Sequence, residues 1–229
     1  MHDPDLFQPF AAAFVRGRLS ESPFRETAPK LFETPLGELT DAERQELMRI
    51  GTEAELKLHK FKRTMGLPRV VKALGILKGL QPASLLDIGS GRGAFLWPLL
   101  DTFPYLPVTS VDTLDYRVRD LQAVQRGGME SLSALQADAT ALPFPDRHFD
   151  VVTMLEVLEH IPDTAAALAQ VCRVAQRAVV LSVPSQPDDN PEHIHLFDAA
   201  TLTEKLRTAG AARVNISNVL NHLIVTATL

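Results

Sequence analysis

The chain has 229 residues, 45% of them hydrophobic and 22% charged, with a formal net charge of -5. These values are ordinary for a soluble globular protein of one domain with a sizeable core, and the net charge argues against a non-specific nucleic-acid binder. No apolar run reaches the roughly 18 residues of a membrane span. The opening "MHDPDLFQPF" has no basic stretch leading into an apolar one, so no secretory signal is expected. The single cysteine, Cys172, excludes an intramolecular disulfide and fits a reducing cytoplasm; its helical surroundings "AQVCRVA" predict a buried structural thiol.

Residues 1 to about 38 are spaced by Pro4, Pro9, Pro23, Pro29 and Pro35, yet hold five of the eleven phenylalanines. Prolines argue against long regular structure, and phenylalanines argue against disorder. The expectation is an arm packed on the core or on a second subunit as a homodimer contact. Thr40 and Glu43 make a capping box, which Thr52 and Glu55 repeat. Leu47, Ala54, Leu58, Phe61 and Met65 follow at helical spacing, predicting one or two helices with a break at Gly51. Pro68 suits the first turn of a helix over 68–78, with Val71 and Leu74 inward. Residues 57–80 hold seven Lys or Arg and no acid. The plain reading is a solvated helix face; the functional one is a surface for an anionic substrate, including RNA along 57–78.

From residue 84 short apolar runs alternate with helical ones. "SLLDIG", "PVTSVD", "SLSALQA", "FDVVTML" and "AVVLSVPS" read as strands of a parallel sheet buried on both faces. "ARVNISN" and "HLIVTATL", joined by a short link, read as an antiparallel pair. The predicted fold is α/β: a Rossmann-like, seven-stranded, mostly parallel sheet with helices on both faces, an antiparallel C-terminal strand pair and an N-terminal helical extension. The predicted division is 1–65 as lid or subunit contact and 66–229 as the main domain.

Ligands of such sheets bind where strands deliver their carboxyl ends. The first strand ends in "LLDIGSGRGAF", where glycines let a ligand approach bare backbone. "GSGRGA" also fits the dinucleotide fingerprint, and Asp112, ending the second strand, suits a ribose diol under either reading. The wider set, "LLDIGSGRG", "SVD" and "ADATALPFPDRHFDVVTMLEVLEHI", resembles the class I S-adenosylmethionine-dependent methyltransferases, over residues 84 to about 185. Within them it is similar to the type 11 and ubiquinone-biosynthesis-like group. Members often carry a glycine pair before the fifth strand; this chain reads "CRVAQRAVVLSVPS" instead. The resemblance implies S-adenosyl-L-methionine as cofactor. Asp87 with Gly89, Ser90, Gly91 and Gly93 would hold its methionine end and Asp112 its ribose. Asp138 and the Ala139 amide would read adenine, with Leu155 and Glu156 beneath the sulfonium.

"TMLEVLEHIPD" places Glu156, Glu159 and His160 at helical offsets of three and four, on one side of a turn. "SQPDDNPEHIHLFD" adds His193 and His195 in a loop above the same sheet end. Two carboxylates and two imidazoles form a reasonable set for Mg²⁺ or Mn²⁺. The acid-x-x-acid-His pattern resembles methyltransferases of the 3′-terminal ribose of small RNAs and O-methyltransferases of ubiquinone biosynthesis, both metal users. That resemblance points to Glu156, Glu159, His160 and His195 as ligands, with His193 the fallback, and to vicinal oxygens on the acceptor. Without a metal, Glu156, His160 or His195 would serve as general base. The expected activity is methyl transfer to an oxygen of a small molecule, with the RNA 3′-terminal ribose as alternative. A non-catalytic cofactor-binding module and an NAD-dependent oxidoreductase are the alternatives of another class.

Overall fold

Strands rich in valine and leucine send alternate side chains to opposite faces, and both faces here are covered. In the computed structural model, which describes residues 6–63 and 66–229, the first half contains α1 (Gln8–Arg18), α2 (Pro23–Thr27), α3 (Pro29–Glu33), α4 (Asp41–Glu53) and α5 (Pro68–Leu80). β1 (Leu85–Ile88), α6 (Leu96–Thr102), β2 (Val108–Asp112), α7 (Asp115–Arg126), β3 (Leu132–Gln136) and β4 (Phe149–Leu155) follow. The chain then runs through α8 (Thr164–Val174), β5 (Ala175–Pro184), α9 (Ala199–Thr208), β6 (Arg213–Val219) and β7 (His222–Thr228).

The strands form one seven-stranded sheet in the order β3-β2-β1-β4-β5-β7-β6. β1 to β5 are parallel, and β7 pairs antiparallel with both β5 and β6. Leu85, Val108, Val151 and Val180 join Leu77, Leu99 and Leu121 on one face. Their neighbours Leu86, Val152 and Val179 join Leu168 and Leu202 on the other. Strand order reverses between β1 and β4, so the carboxyl ends of these two strands open the crevice that positions the site. β5 follows α8 without an intervening turn, which leaves no place for a glycine pair. Cys172 is buried as expected, and burial pushes its thiol up to about 11. No helix among the described residues is long and apolar enough to cross a membrane.

The N-terminal segment is more regular than its prolines suggest. α1 runs 11 residues because Pro9 falls in its first turn, where no amide hydrogen bond is lost. Its phenylalanines enter the core of the same chain: Phe10 lies 5.6 Å from Trp97, Phe14 5.3 Å from Phe61, and Phe61 4.9 Å from Trp97 between ring centroids. α1 crosses α7 at two glycines. A Cβ on Gly17 would stand 1.8 Å from the Ala123 carbonyl oxygen, and one on Gly127 1.7 Å from that of Ala13.

Thr40 caps α4 as expected, its hydroxyl accepting from the Glu43 amide at 3.2 Å while Glu43 accepts from the Thr40 amide at 2.9 Å. α4 then runs unbroken through Gly51, so the second capping box starts no helix. Thr52 sits in the last turn and donates to the Met48 carbonyl at 2.9 Å. Glu55, at φ 56°, turns the chain, and only a 3₁₀ turn forms over Leu58–Phe61. Met65 and Pro4 lie outside the described residues. α5 begins at Pro68, but its buried face is Val70, Ala73 and Leu77, while Val71 is 59% exposed. Helical spacing defines a period and leaves its phase open.

Candidate functional site

β1 is buried along its whole length and delivers Asp87 and Ile88 to the crevice. The loop that follows turns through Gly89, Gly91 and Gly93, all at positive φ. Gly93 is packed against protein, since a Cβ there would stand 2.0 Å from Trp97 Nε1. Gly91 is open: the nearest atom to a Cβ would be 3.8 Å away. Bare backbone therefore faces a cavity of about 160 Å³ lined by Asp87, Gly89, Ser90, Gly91, Leu155 and Glu156, with Arg69 from α5.

Asp87 is 2% exposed. Its Oδ1 accepts from the Thr153 hydroxyl at 2.8 Å, while Oδ2 and the neighbouring Ser90 Oγ have no partner. Burial raises the Asp87 carboxyl to about 7, opposed by the Thr153 hydrogen bond and aided by the charge of Asp112. Asp112 ends β2 and accepts from the Leu114 amide at 3.0 Å, the Gly91 amide at 3.3 Å and Arg117 Nη1 at 3.3 Å. Asp138 follows β3. It accepts from the Thr140 amide at 2.8 Å and the Thr140 hydroxyl at 2.7 Å, which hold it below the usual carboxylate range. Ala139 beside it is buried.

The Glu156–His160 segment departs from the expected helical turn. β4 continues through Leu155, Glu156 turns the chain at φ 56°, and Leu158–His160 is a single 3₁₀ turn. Glu156 and Glu159 consequently part. Glu156 stays in the cavity wall, where Oε1 accepts from the Ser182 hydroxyl at 2.6 Å. Its Oε2 lies 3.0 Å from His222 Nε2 and 3.8 Å from Arg69 Nε. His222 thus stands beside the carboxylate that lines the cavity. His222 has no motif around it, and only topology finds it. β7 is antiparallel, so its first residue stands beside Pro184 at the carboxyl end of β5.

Glu159 is fully buried, and neither carboxylate oxygen has a partner. Burial lifts it to about 8, and the charge of Glu156 adds to the shift. Its backbone carbonyl accepts from the amides of Ile194 at 3.0 Å and His195 at 3.2 Å, pinning the histidine loop over it. His160 Nδ1 donates to the Glu192 carbonyl at 2.9 Å, and His193 Nδ1 lies 2.8 Å from Asp188 Oδ2. His193 Nε2 lies 3.9 Å from Glu159 Oε1. Glu159, His160 and His193 offer ligand atoms within 4.8 Å of one another. The expected quartet is therefore not what the fold assembles. Glu156 turns to Ser182 and His222, and His195 Nε2 donates to the Ile161 carbonyl at 3.1 Å. His193 takes the place assigned to His195.

The seven basic residues of 57–80 do not share one surface either. Lys57, Lys60 and Lys62 edge a separate groove, Arg69 faces Glu156, and Lys72 and Lys78 are exposed on α5.

Residues 86–183 match the family model described as a methyltransferase domain. Malonyl-[acyl-carrier protein] O-methyltransferase of Geobacter sulfurreducens is 33% identical over 104 residues, which are 45% of this chain and 39% of that protein. Demethylmenaquinone methyltransferase of Roseiflexus castenholzii is 32% identical over 120 residues, 49% of this chain and 48% of that protein. The chain thus spans less than half the length of these relatives. Among solved structures, the N-terminal domain of EvdMO1 with SAH bound aligns at a TM-score of 0.60 and 17% identity, covering 81% of this chain and 96% of that one. At that identity the likeness concerns the fold.

Proposed function

We propose that the chain is a class I S-adenosylmethionine-dependent methyltransferase, as the methyltransferase-domain match and the relatives' names support, and that it transfers a methyl group to an oxygen of a small-molecule acceptor. The observation that carries the proposal is Asp87 Oδ2, a buried carboxyl oxygen without a partner beneath an open glycine backbone. Such an atom is costly unless a ligand donor completes it. An amino-acid ammonium is a donor of the right charge, and the cofactor carries one.

When bound, S-adenosylmethionine supplies an electrophilic methyl group on a sulfonium. Asp87 and the amides of the 89–93 loop hold its amino-acid end. Asp112 retains lone pairs for the ribose hydroxyls, since a carboxylate offers about four acceptor sites. Asp138 and the Ala139 amide read adenine, and Leu155 and Glu156 floor the reacting end. Glu156, which lines the cavity beside His222, takes the acceptor proton as the new bond forms.

Glu159 favours a metal-assisted version. One carboxylate and two imidazoles would hold a divalent ion, which would chelate vicinal oxygens and acidify the attacking hydroxyl. With nitrogen in the majority, Mn²⁺ or a zinc-like ion suits the set better than Mg²⁺.

The relatives' names support a small acceptor, and the dispersed basic residues favour it over RNA. The test pairs calorimetry of S-adenosylhomocysteine and NAD with a labelled-methyl screen of hydroxylated metabolites and short RNAs. Binding of S-adenosylhomocysteine and label on a metabolite oxygen is the expected result. Binding of NAD instead would move the protein to the oxidoreductases. Binding without transfer to any acceptor would leave a cofactor-binding module, and label on RNA would make the 3′-terminal ribose the acceptor.

A further inference from the structure

A groove of about 610 Å³ lies on the far side of the glycine loop from the Asp87 cavity. Gly91, Arg92 and Ala94 line both spaces, so the loop is the partition between them. Phe7, Trp97 and Leu121 give the groove an apolar floor. Tyr116, 56% exposed, stands at its edge with the Arg117 guanidinium 5.8 Å from its ring centre.

The charges around this floor are one-sided. Among the described lining residues the only acid is Asp120, and Lys60 holds it in an ion pair. Arg117 is shared with Asp112, and nearby Arg63 is 3.6 Å from Asp101. Lys57, Lys62 and Arg92 have no partner among the described residues. Three cations without a partner among the described residues line one groove with apolar side chains, and an anion seated between them would relieve their repulsion. In a chain of net charge -5, general excess of basic residues does not explain them. The volume suits a small organic molecule, whose sites usually measure about 300–1,000 Å³.

We propose that this groove binds a small organic anion, a phosphate or carboxylate carried on a flat apolar body, at a site distinct from the methyl-transfer cavity. The flat body lies on Trp97 and Leu121 beside Tyr116, and the anionic group meets Lys57, Lys62 and Arg92. This assignment goes beyond the proposed activity and does not rest on it. Nucleic acid is the weaker occupant, because Lys72 and Lys78 lie outside the groove.

Calorimetry with naphthyl phosphate, naphthoate and uncharged naphthol tests the idea on the full chain, with and without S-adenosylhomocysteine. At least one of the two anions should bind, with naphthol weaker by about tenfold or more, the effect of one well-placed partly screened charge. Which of phosphate and carboxylate binds more tightly identifies the anionic group. Lys57→Glu and Lys62→Glu should each weaken the anion by a similar factor and leave S-adenosylhomocysteine affinity unchanged, while Lys72→Glu should change neither. Equal binding of naphthol, or anion binding indifferent to both charge reversals, would overturn the proposal. Competition between S-adenosylhomocysteine and the anion would overturn it as well, by assigning the groove to the cofactor. A short oligoribonucleotide that displaces naphthyl phosphate and is weakened by Lys72→Glu would replace it with a nucleic-acid surface.

Discussion

Replacing Asp87 with asparagine separates what that side chain does for the ligand from what it does to the fold. Burial moves the carboxyl from its ordinary 3.8 to about 7. Between those values the unfolded chain has released the proton while the native protein keeps it, so native stability falls as pH rises and levels off above about 7. One pH unit corresponds to about 1.4 kcal/mol, which bounds the cost at about 4 kcal/mol in mildly alkaline solution and about 1 kcal/mol near pH 4.5. Asparagine keeps the acceptor for Thr153 and never ionises. Its amide nitrogen replaces the unpartnered Oδ2 and adds an offset of about 1–3 kcal/mol that does not vary with pH. The signature is therefore a slope. Relative to wild type, Asp87→Asn should gain about 1–3 kcal/mol between about pH 4.5 and 8.5, measured by urea unfolding at both values. Calorimetry of S-adenosylhomocysteine should show affinity reduced about tenfold or more. A difference in stability that is flat across pH, with ligand affinity intact, would show that the carboxyl is scaffold and that its free oxygen is not reserved for a ligand.

Two further outcomes are expected. Mn²⁺ should bind wild type by calorimetry, and Glu159→Ala, His160→Ala and His193→Ala should each abolish binding; equal loss in His195→Ala with none in His193→Ala would restore the ligand set expected from the sequence. Gly127→Ala should cost about 2–3 kcal/mol and lower Tm by about 5–10 °C. Because Gly127 has φ -76°, that cost would be steric contact with α1 and not backbone strain. An unchanged Tm in a scanning calorimeter would mean that the two helices do not cross there.

Sequence features governed by near neighbours were legible. The alternating strands, the Thr40 box, the start of α5 and the glycine loop all follow from contacts within a few residues. Features governed by distant contacts were not. Val71 and Val70 satisfy the helical period equally, and packing on the sheet selected Val70. Pro9 looked like a breaker but occupies the position in α1 that tolerates it. The acid-x-x-acid-His segment was read at helical offsets, whereas β4 extends through Leu155 and Glu156 turns the chain. His195 was ranked above His193 by resemblance alone, because their loop is wound by side chains on backbone. Asp188 accepts from the Asn190 amide and Asn190 from the Glu192 amide, both at 3.0 Å. His222 was invisible because it reaches Glu156 only through the antiparallel register of β7.

The glycine crossing of α1 and α7 also has a mechanical side. α7 is 12 residues long, about 18 Å. Its last turn is gripped by α1 through backbone contact, while its first turn carries Arg117, which holds Asp112. A helix of that length behaves as a stiff rod, so a tilt at the gripped end is delivered to the carboxylate at the other. The phenylalanine-rich arm is in this sense a lever on the cofactor crevice, acting at a distance from it. A load on α1, whether a fused tag or a neighbouring molecule, would be felt at Asp112 through Arg117.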